Sequence, residues 1–369
     1  MHFEFLVFMF LFSRLKKLDW ILVVSVILLV GFGLVSLYSS SFARGDFSNF
    51  KKQIFFLVLG VFLMFIFSFL DWRVFRENTF LILFLYLLCL ISLVGLFFFA
   101  PSIRGVQRWY KLGFLSIDPI EFTKIILIIL LAKYFSMRHV EMYRARHVLL
   151  SGFYVFLPSV LTFFQPDFGS IISLLALWTC ILLVSGIKPR HFLILLFCGI
   201  LIFSLSWSFL MKDYQKERII NFLFPADPLG AGWSQNQAKI AIGSGGVFGQ
   251  GFLKGSQTQY GFLPEPQTDF IFSALAEEAG LAGVFVLLVL FLILIWRIFK
   301  VAINSQSNFP RLFSVGLIAV LISQVFIHIG MNLGLLPIIG ISLPLVSYGG
   351  SSLIATFIAL GILQSIRIH

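Results

Sequence analysis

Asp269 is the first position in this chain where chemistry could concentrate. It closes the stretch Pro264-Glu265-Pro266-Gln267-Thr268-Asp269-Phe270, at the seam where a long polar segment meets an apolar run. Two readings stand there. Asp is a preferred helix N-cap; a carboxylate partly withdrawn from water has a raised pKa that suits a general base. A second concentration is residues 104–124, RGVQRWYKLGFLSIDPIEFTK. Its first half is basic and aromatic, as a loop touching phosphates or headgroups would be. Its second half opens a helix at Asp118-Pro119, with Pro in its favoured first-turn place. Glu121 and Lys124, three apart, share one face of that helix. They are either an ion pair that makes two charges tolerable or the charged lining of a central cavity.

Other polar positions carry weaker signals. Gln165-Pro166-Asp167-Phe168-Gly169-Ser170 reads as turn punctuation, with Asp167 available to cap the next helix. Nine glycines between Gly230 and Gly261 permit close backbone approach and bare amides. The spacing matches neither GxGxxG nor GxxxxGK[ST], so nucleotide-fold readings fail, and a loop packed into the bundle through its glycines is the plainer expectation. Glu277 and Glu278 open the next span, where they are expected to pair with basic groups. His328 lies alone inside a span, and Gly330 and Gly334 mark close packing. The stretch Ser347-Tyr348-Gly349-Gly350-Ser351-Ser352 is small and polar enough to line the same cavity. No HExxH, Cys/His cluster or paired-Asp motif is present, so no metal site can be read directly. Cys89, Cys180 and Cys198 all fall in apolar runs and give no disulfide framework.

The elements that must hold these residues follow from composition. Of 369 residues 59% are hydrophobic, 17% aromatic and only 12% charged, with mean hydropathy +1.01. A soluble domain is about a quarter charged, so soluble, collagenous, disordered and disulfide-scaffold classes are excluded. The chain is an all-α polytopic membrane protein, a single integral domain over 1–369. Apolar runs predict ten helices, near 20–38, 53–70, 79–100, 119–135, 149–165, 169–186, 191–211, 280–299, 311–331 and 344–366. One long loop, 212–269, joins the seventh and eighth. Residues 1–12 are apolar but lack a basic start and a cleavage site, and read as an extension outside the functional part.

Lys and Arg on alternate sides set the orientation. One side carries 15, from Arg14 to Arg367; the opposite short loops carry 6. Both termini are therefore expected in the cytoplasm and the long loop outside it. The net charge of +11 is a topology and lipid signal, with no basic run suited to nucleic acid.

Several stretches together resemble the SEDS family (shape, elongation, division and sporulation), and within it the elongation-associated branch. They are RWYKLGFLSIDPIEFTK, QPDFGS, DYQKERIINFLFPADPLGAGW, the run from Gln237 through FLPEPQTDFIFSALAEEAGLAG, and GMNLGLLPIIGISLPLVSYGGSS. They extend from about residue 20 to the C-terminal end. Two departures stand out. The family commonly has Arg-His where this chain has Pro266-Gln267, and Pro-Ser-Glu where it has Pro119-Ile120-Glu121.

The resemblance implies a peptidoglycan glycosyltransferase that polymerises lipid II into glycan strands during elongation. The GlcNAc 4-OH would attack MurNAc C1 with inversion, releasing undecaprenyl pyrophosphate. It further implies a class B penicillin-binding protein as transpeptidase partner, beside other membrane proteins of the elongation complex. Asp269 matches the family's essential loop aspartate, which tips its two readings toward catalysis. Arg108, Lys239, Arg218 and Lys111 become the expected binders of the pyrophosphate, with room for a divalent cation such as magnesium or manganese. Glu121, Lys124, Asp167, Glu265 and Thr268 become organisers of the site. Two other readings suit the same pattern of spans and charges: a lipid II flippase or transporter, and a non-catalytic scaffold for the wall-synthesis complex.

Overall fold

A computed structural model describes residues 15–101, 107–113, 115–137, 145–211, 213–224 and 232–369. The extension at 1–12 and Arg104 lie outside them. Helix α1 (Trp20–Arg44) starts where the Asp19 carboxylate accepts from the Leu22 amide and stops at Gly45 in the left-handed region. There follow α2 (Ser48–Phe69), the short α3 (Arg73–Glu77) and α4 (Thr79–Phe99). A small antiparallel hairpin, β1 (Tyr110–Leu112) and β2 (Leu115–Ile117), pairs Tyr110 with Ile117 and Lys111 with Ser116. It leads into α5 (Pro119–Ser136), α6 (Ala145–Phe164), α7 (Phe168–Val184) and α8 (Pro189–Phe209). The remaining elements are α9 (Asp213–Leu223), α10 (Trp233–Ser244), α11 (Ser256–Gln259), α12 (Ile271–Asn304), α13 (Asn308–Leu333) and α14 (Gly350–Ile368).

A helix stands at each of the ten predicted positions. Eight are long and apolar enough to cross a membrane; α7 is apolar but shorter. Helix α5 is different in kind, because Glu121, Lys124 and Lys133 interrupt it and are all buried. The outward faces are apolar: Phe80, Phe98, Phe99, Phe209 and Phe285 are each exposed, and α8 buries none of its residues. Apolar exteriors on this scale belong in lipid.

Small residues let the central helices close up. A methyl group on Gly60 would meet the Phe357 ring at 2.4 Å, and one on Gly361 would lie 2.6 Å from the Met64 carbonyl, so α2 and α14 touch nearly backbone to backbone. Helix α13 runs through the middle, with Gly316 against Leu177 of α7 and Ile128 of α5.

Three boundaries differ from the sequence expectation. Helix α12 begins at Ile271, nine residues before the predicted start, because its first segment ends at a break at Gly280 (φ 66°, ψ −167°). The loop 212–269 folds into α9, α10 and α11. The last helix begins at Gly350, since the Pro344 segment is irregular. Apolarity marks where a helix is sheltered, and glycine breaks or extended segments that bury their own backbone are equally apolar.

Candidate active site

The site is built on one connector, the irregular segment 341–349, which ties two polar centres together. The first is the Asp269 turn. The backbone reverses at Glu265, whose φ of 43° is left-handed, and the Glu265 carbonyl accepts from the amides of both Thr268 and Phe270. A non-glycine residue held there is strained, and such strain persists only where surroundings fix it. The surroundings do so. The Ser347 hydroxyl donates to the Thr268 carbonyl at 2.9 Å, and the Tyr348 amide to the Gln267 carbonyl at 2.9 Å. The Gln267 side chain accepts from Asn49 Nδ2 at 2.7 Å and donates to Ser41 Oγ at 3.2 Å. The departure Pro266-Gln267 thus supplies a clamp to α1 and α2.

Asp269 itself is half-buried and its carbonyl is held by Asn332 Nδ2 at 2.9 Å. Asn332, wholly buried in α13, also donates to the His328 carbonyl and accepts from the Ser273 amide and hydroxyl. The N-cap position of α12 is taken by Phe270, one residue later than the capping reading of Asp269 requires. Phe270 packs with Leu263 and Ala274 of this region and with Ala238 of α10. That cluster seats α10 against the start of α12, and Lys239 follows Ala238 on α10. Lys239 is exposed, and its stem crosses the end of α13: a methyl group on Gly334 would lie 2.0 Å from its Cε. Gln235 fastens α10 to the same helix end through the Met331 and Leu336 carbonyls.

The second centre gathers around Arg108. Its guanidinium lies 2.5 Å from Asp118, 3.2 Å from Asp167 and 3.8 Å from Glu121, and Lys124 reaches Glu121 at 2.7 Å. The sequence reading singled out four of these five residues. It missed Asp118, which it marked only as the opening of a helix before proline; its carboxylate also caps that helix by accepting from the Ile120 amide. Asp167 likewise caps α7 through the Ser170 amide while holding Arg108. Three carboxylates thus share two cations away from water. Burial, ahead of the opposing pull of Arg108, pushes the Asp118 carboxyl up to about 6. Arg108 is matched inside this network, whereas Lys111 on the hairpin is exposed. The two centres meet where the connector enters α14: the Asp118 amide donates to Ser351 Oγ at 2.9 Å, four residues beyond Ser347. Gln53 braces the span between them, donating to the Ser347 carbonyl and accepting from the Gly349 amide.

Arg218 lies on α9, and its side chain is outside the described residues. Among the described residues Glu277 and Glu278 do not meet the basic partners expected of them. Glu277 instead accepts from the Ser256 hydroxyl, the Gln257 and Thr258 amides and the Thr258 hydroxyl; Glu278 accepts from Ser39 and Gln259. Glu277 is the cap of α11, which a carboxylate at a helix N-terminus explains. The glycine-rich loop also has an occupation. Amides of Gln250 and Gly251 donate to the Glu277 and Glu278 carbonyls, and Gly246 and Val247 accept from Leu281 and Ala282. The loop backbone therefore satisfies the groups that the Gly280 break would leave bare. Among the described residues no three His, Cys, Asp or Glu side chains form a group that could hold a metal ion.

A bundle of long apolar helices with this polar seam defines the class: a multi-pass α-helical membrane protein. The sequence profile of the FtsW/RodA/SpoVE cell cycle proteins matches residues 19–369, and the chain belongs to that family. It is 41% identical to the peptidoglycan glycosyltransferase MrdB of Escherichia coli K12 over 287 residues, 78% of this chain and 77% of that one. It is 36% identical to stage V sporulation protein E of Bacillus subtilis, covering 94% of this chain and 96% of that protein. Among solved structures, RodA of Thermus thermophilus superposes with TM-score 0.70 at 31% identity, over 95% of this chain and 96% of that one. A chain from a peptidoglycan synthase complex, described as coordinating polymerization and crosslinking, superposes with TM-score 0.82 at 32% identity, covering 95% and 97%.

Proposed function

We propose that this protein is a peptidoglycan glycosyltransferase that polymerises lipid II during cell elongation. The observation that carries the reading is the family match over residues 19–369, joined to the 41% identity with a relative named for that activity. The Asp269 turn, tied to four separate elements, is where a reacting group would be held still.

The reaction joins the GlcNAc 4-OH of one lipid II to MurNAc C1 of the growing strand. The C4 oxygen forms a bond to C1 as the bond from C1 to the pyrophosphate oxygen breaks on the opposite face, inverting the anomeric centre. The hydroxyl proton passes to the Asp269 carboxylate, and the electron pair leaves with undecaprenyl pyrophosphate. A positioned base supplies about 10²–10⁴-fold. The leaving group gathers negative charge, which the exposed Lys239 and Lys111 answer, together with Arg218. Arg108, Glu121, Lys124 and Asp167, with Asp118, hold the floor of the site rigid through α5 and α7. A divalent cation would add charge at the pyrophosphate, and no step above depends on it.

The ten helices cross the bacterial inner membrane with both termini cytoplasmic and residues 212–269 outside. The transpeptidase partner is a class B penicillin-binding protein in a complex with other elongation membrane proteins. The test is a proteoliposome assay that scores glycan strand formation and lipid II translocation separately. Polymer formed by the purified protein supports the proposal; translocation without polymer replaces it with a flippase, and neither activity leaves a scaffold.

A further inference from the structure

At the far end of α12 from the Asp269 turn, five helix ends surround an open cavity of about 630 Å³. Its rim carries Arg73, Arg76, Arg297, Lys300 and Arg367 against one side-chain carboxylate, Asp19, and the backbone oxygen of His369, which accepts from Arg73 at 3.4 Å. That carboxylate is already occupied. One oxygen of Asp19 takes Arg297 at 2.6 Å and also Arg367, while the Asp19 backbone exchanges two hydrogen bonds with the buried Gln364 side chain. Asp19 therefore fixes two arginines in place and leaves the bowl strongly cationic. Arg73 leans on Asp71 at 3.4 Å in an exposed pair, which is worth little. Arg76 and Lys300 have no carboxylate partner among the described residues. Five cations converging on a hollow repel one another, and Asp19 anchors only two of them, Arg297 and Arg367.

The level of this bowl is marked by its aromatics. Lys300 stands 5.7 Å over the Trp296 ring, and half-exposed Trp296 is the kind of residue found at a membrane interface. Trp296 continues an exposed apolar stripe on α12 through Phe285, Leu288 and Leu292, spaced three and four apart on one helix face. Lys300 sits between that stripe and the bowl-facing Arg297 and Asn304. A ligand with a charged head in the bowl and apolar chains along the stripe would match both surfaces.

We propose that this cavity binds the headgroup of an anionic phospholipid, a phosphate diester without a compensating cation, as a site separate from the polymerising centre. Basic pockets between membrane helices serve this role by the same physics. The chemistry recognised is the phosphate, so free inorganic phosphate is the competing source.

The test is native mass spectrometry of the full-length protein released from mixed vesicles of phosphatidylglycerol and phosphatidylcholine, comparing wild type with Arg76→Gln/Lys300→Gln. A control, Lys51→Gln/Lys52→Gln, removes the same charge from the opposite end. Both variants leave the Asp19 contacts intact, and thermal unfolding checks that they fold. The wild type and the control should retain phosphatidylglycerol over phosphatidylcholine, and the Arg76/Lys300 variant should lose that preference by about tenfold to thirtyfold, at roughly 1 kcal/mol per cation. Equal retention by all three proteins overturns the proposal. So does displacement of the lipid by millimolar inorganic phosphate, which would assign the bowl to a free anion. A wild type without lipid preference overturns it as well, and leaves an acidic protein segment as the better occupant.

Discussion

Asn332 is the residue on which the Asp269 turn depends most, because one buried amide serves the Asp269 carbonyl, the His328 carbonyl and Ser273 together. Removing it leaves buried groups unpaired at about 1–3 kcal/mol. Asn332→Ala should therefore lower thermal stability measurably and reduce polymer yield more than it reduces lipid II binding, a split that chain growth and binding assays on the same preparation would read. Asp118 makes a prediction of a different kind. Its carboxyl is raised in the folded protein relative to an unfolded value near 4. The native state therefore holds a proton that the unfolded chain has released, so stability from this group is present below about pH 4 and lost as pH rises to about 6. Asp118→Asn should flatten that part of the melting-temperature profile against pH. An unchanged slope would mean that another group of the Arg108 network carries the proton.

Among elements, the break in α12 is the most consequential. Gly280 adopts a φ that L side chains rarely take, and a methyl group there would lie 2.2 Å from the Gly249 amide nitrogen. Gly280→Ala should destabilise the junction between the glycine-rich loop and α12 by about 1–3 kcal/mol, from backbone strain alone, and limited proteolysis within 245–255 should show it first. This junction also marks where the sequence stops being legible. The apolar run after Asp269 is plain, but a helix that starts at Ile271, breaks at Gly280 and resumes looks the same in composition as a loop followed by a helix. The cap position was readable at Asp167, because a short acid before a helix has one obvious use. The partners of Glu277 and Glu278 were not, since acids at a helix start suggest bases while the fold answers them with hydroxyls and amides from 39 and 256–259. Gln53 and Asn332 gave no signal at all: neutral polar residues acquire meaning only when distant segments bring their partners.

At the scale of the whole molecule, alternation of helices ties orientation to the site. Lys254 and Gln306 are both exposed, and they flank α12 on opposite sides. A cysteine at 254 should react with an impermeant thiol reagent in spheroplasts, and one at 306 only after the membrane is opened; the reverse pattern would invert the topology. The long-range design is a rigid polar seam. Segment 341–351 couples the Asp269 turn to the Arg108 network, and tightly packed α2 and α14 hold that segment from behind. The role of Asp269 as proton acceptor is the claim on which the rest turns. It is tested most directly by measuring glycan strands formed from lipid II by purified Asp269→Asn protein that melts like the wild type. The account predicts polymer reduced by about 10²-fold or more; a normal yield of strands from that folded variant would contradict it.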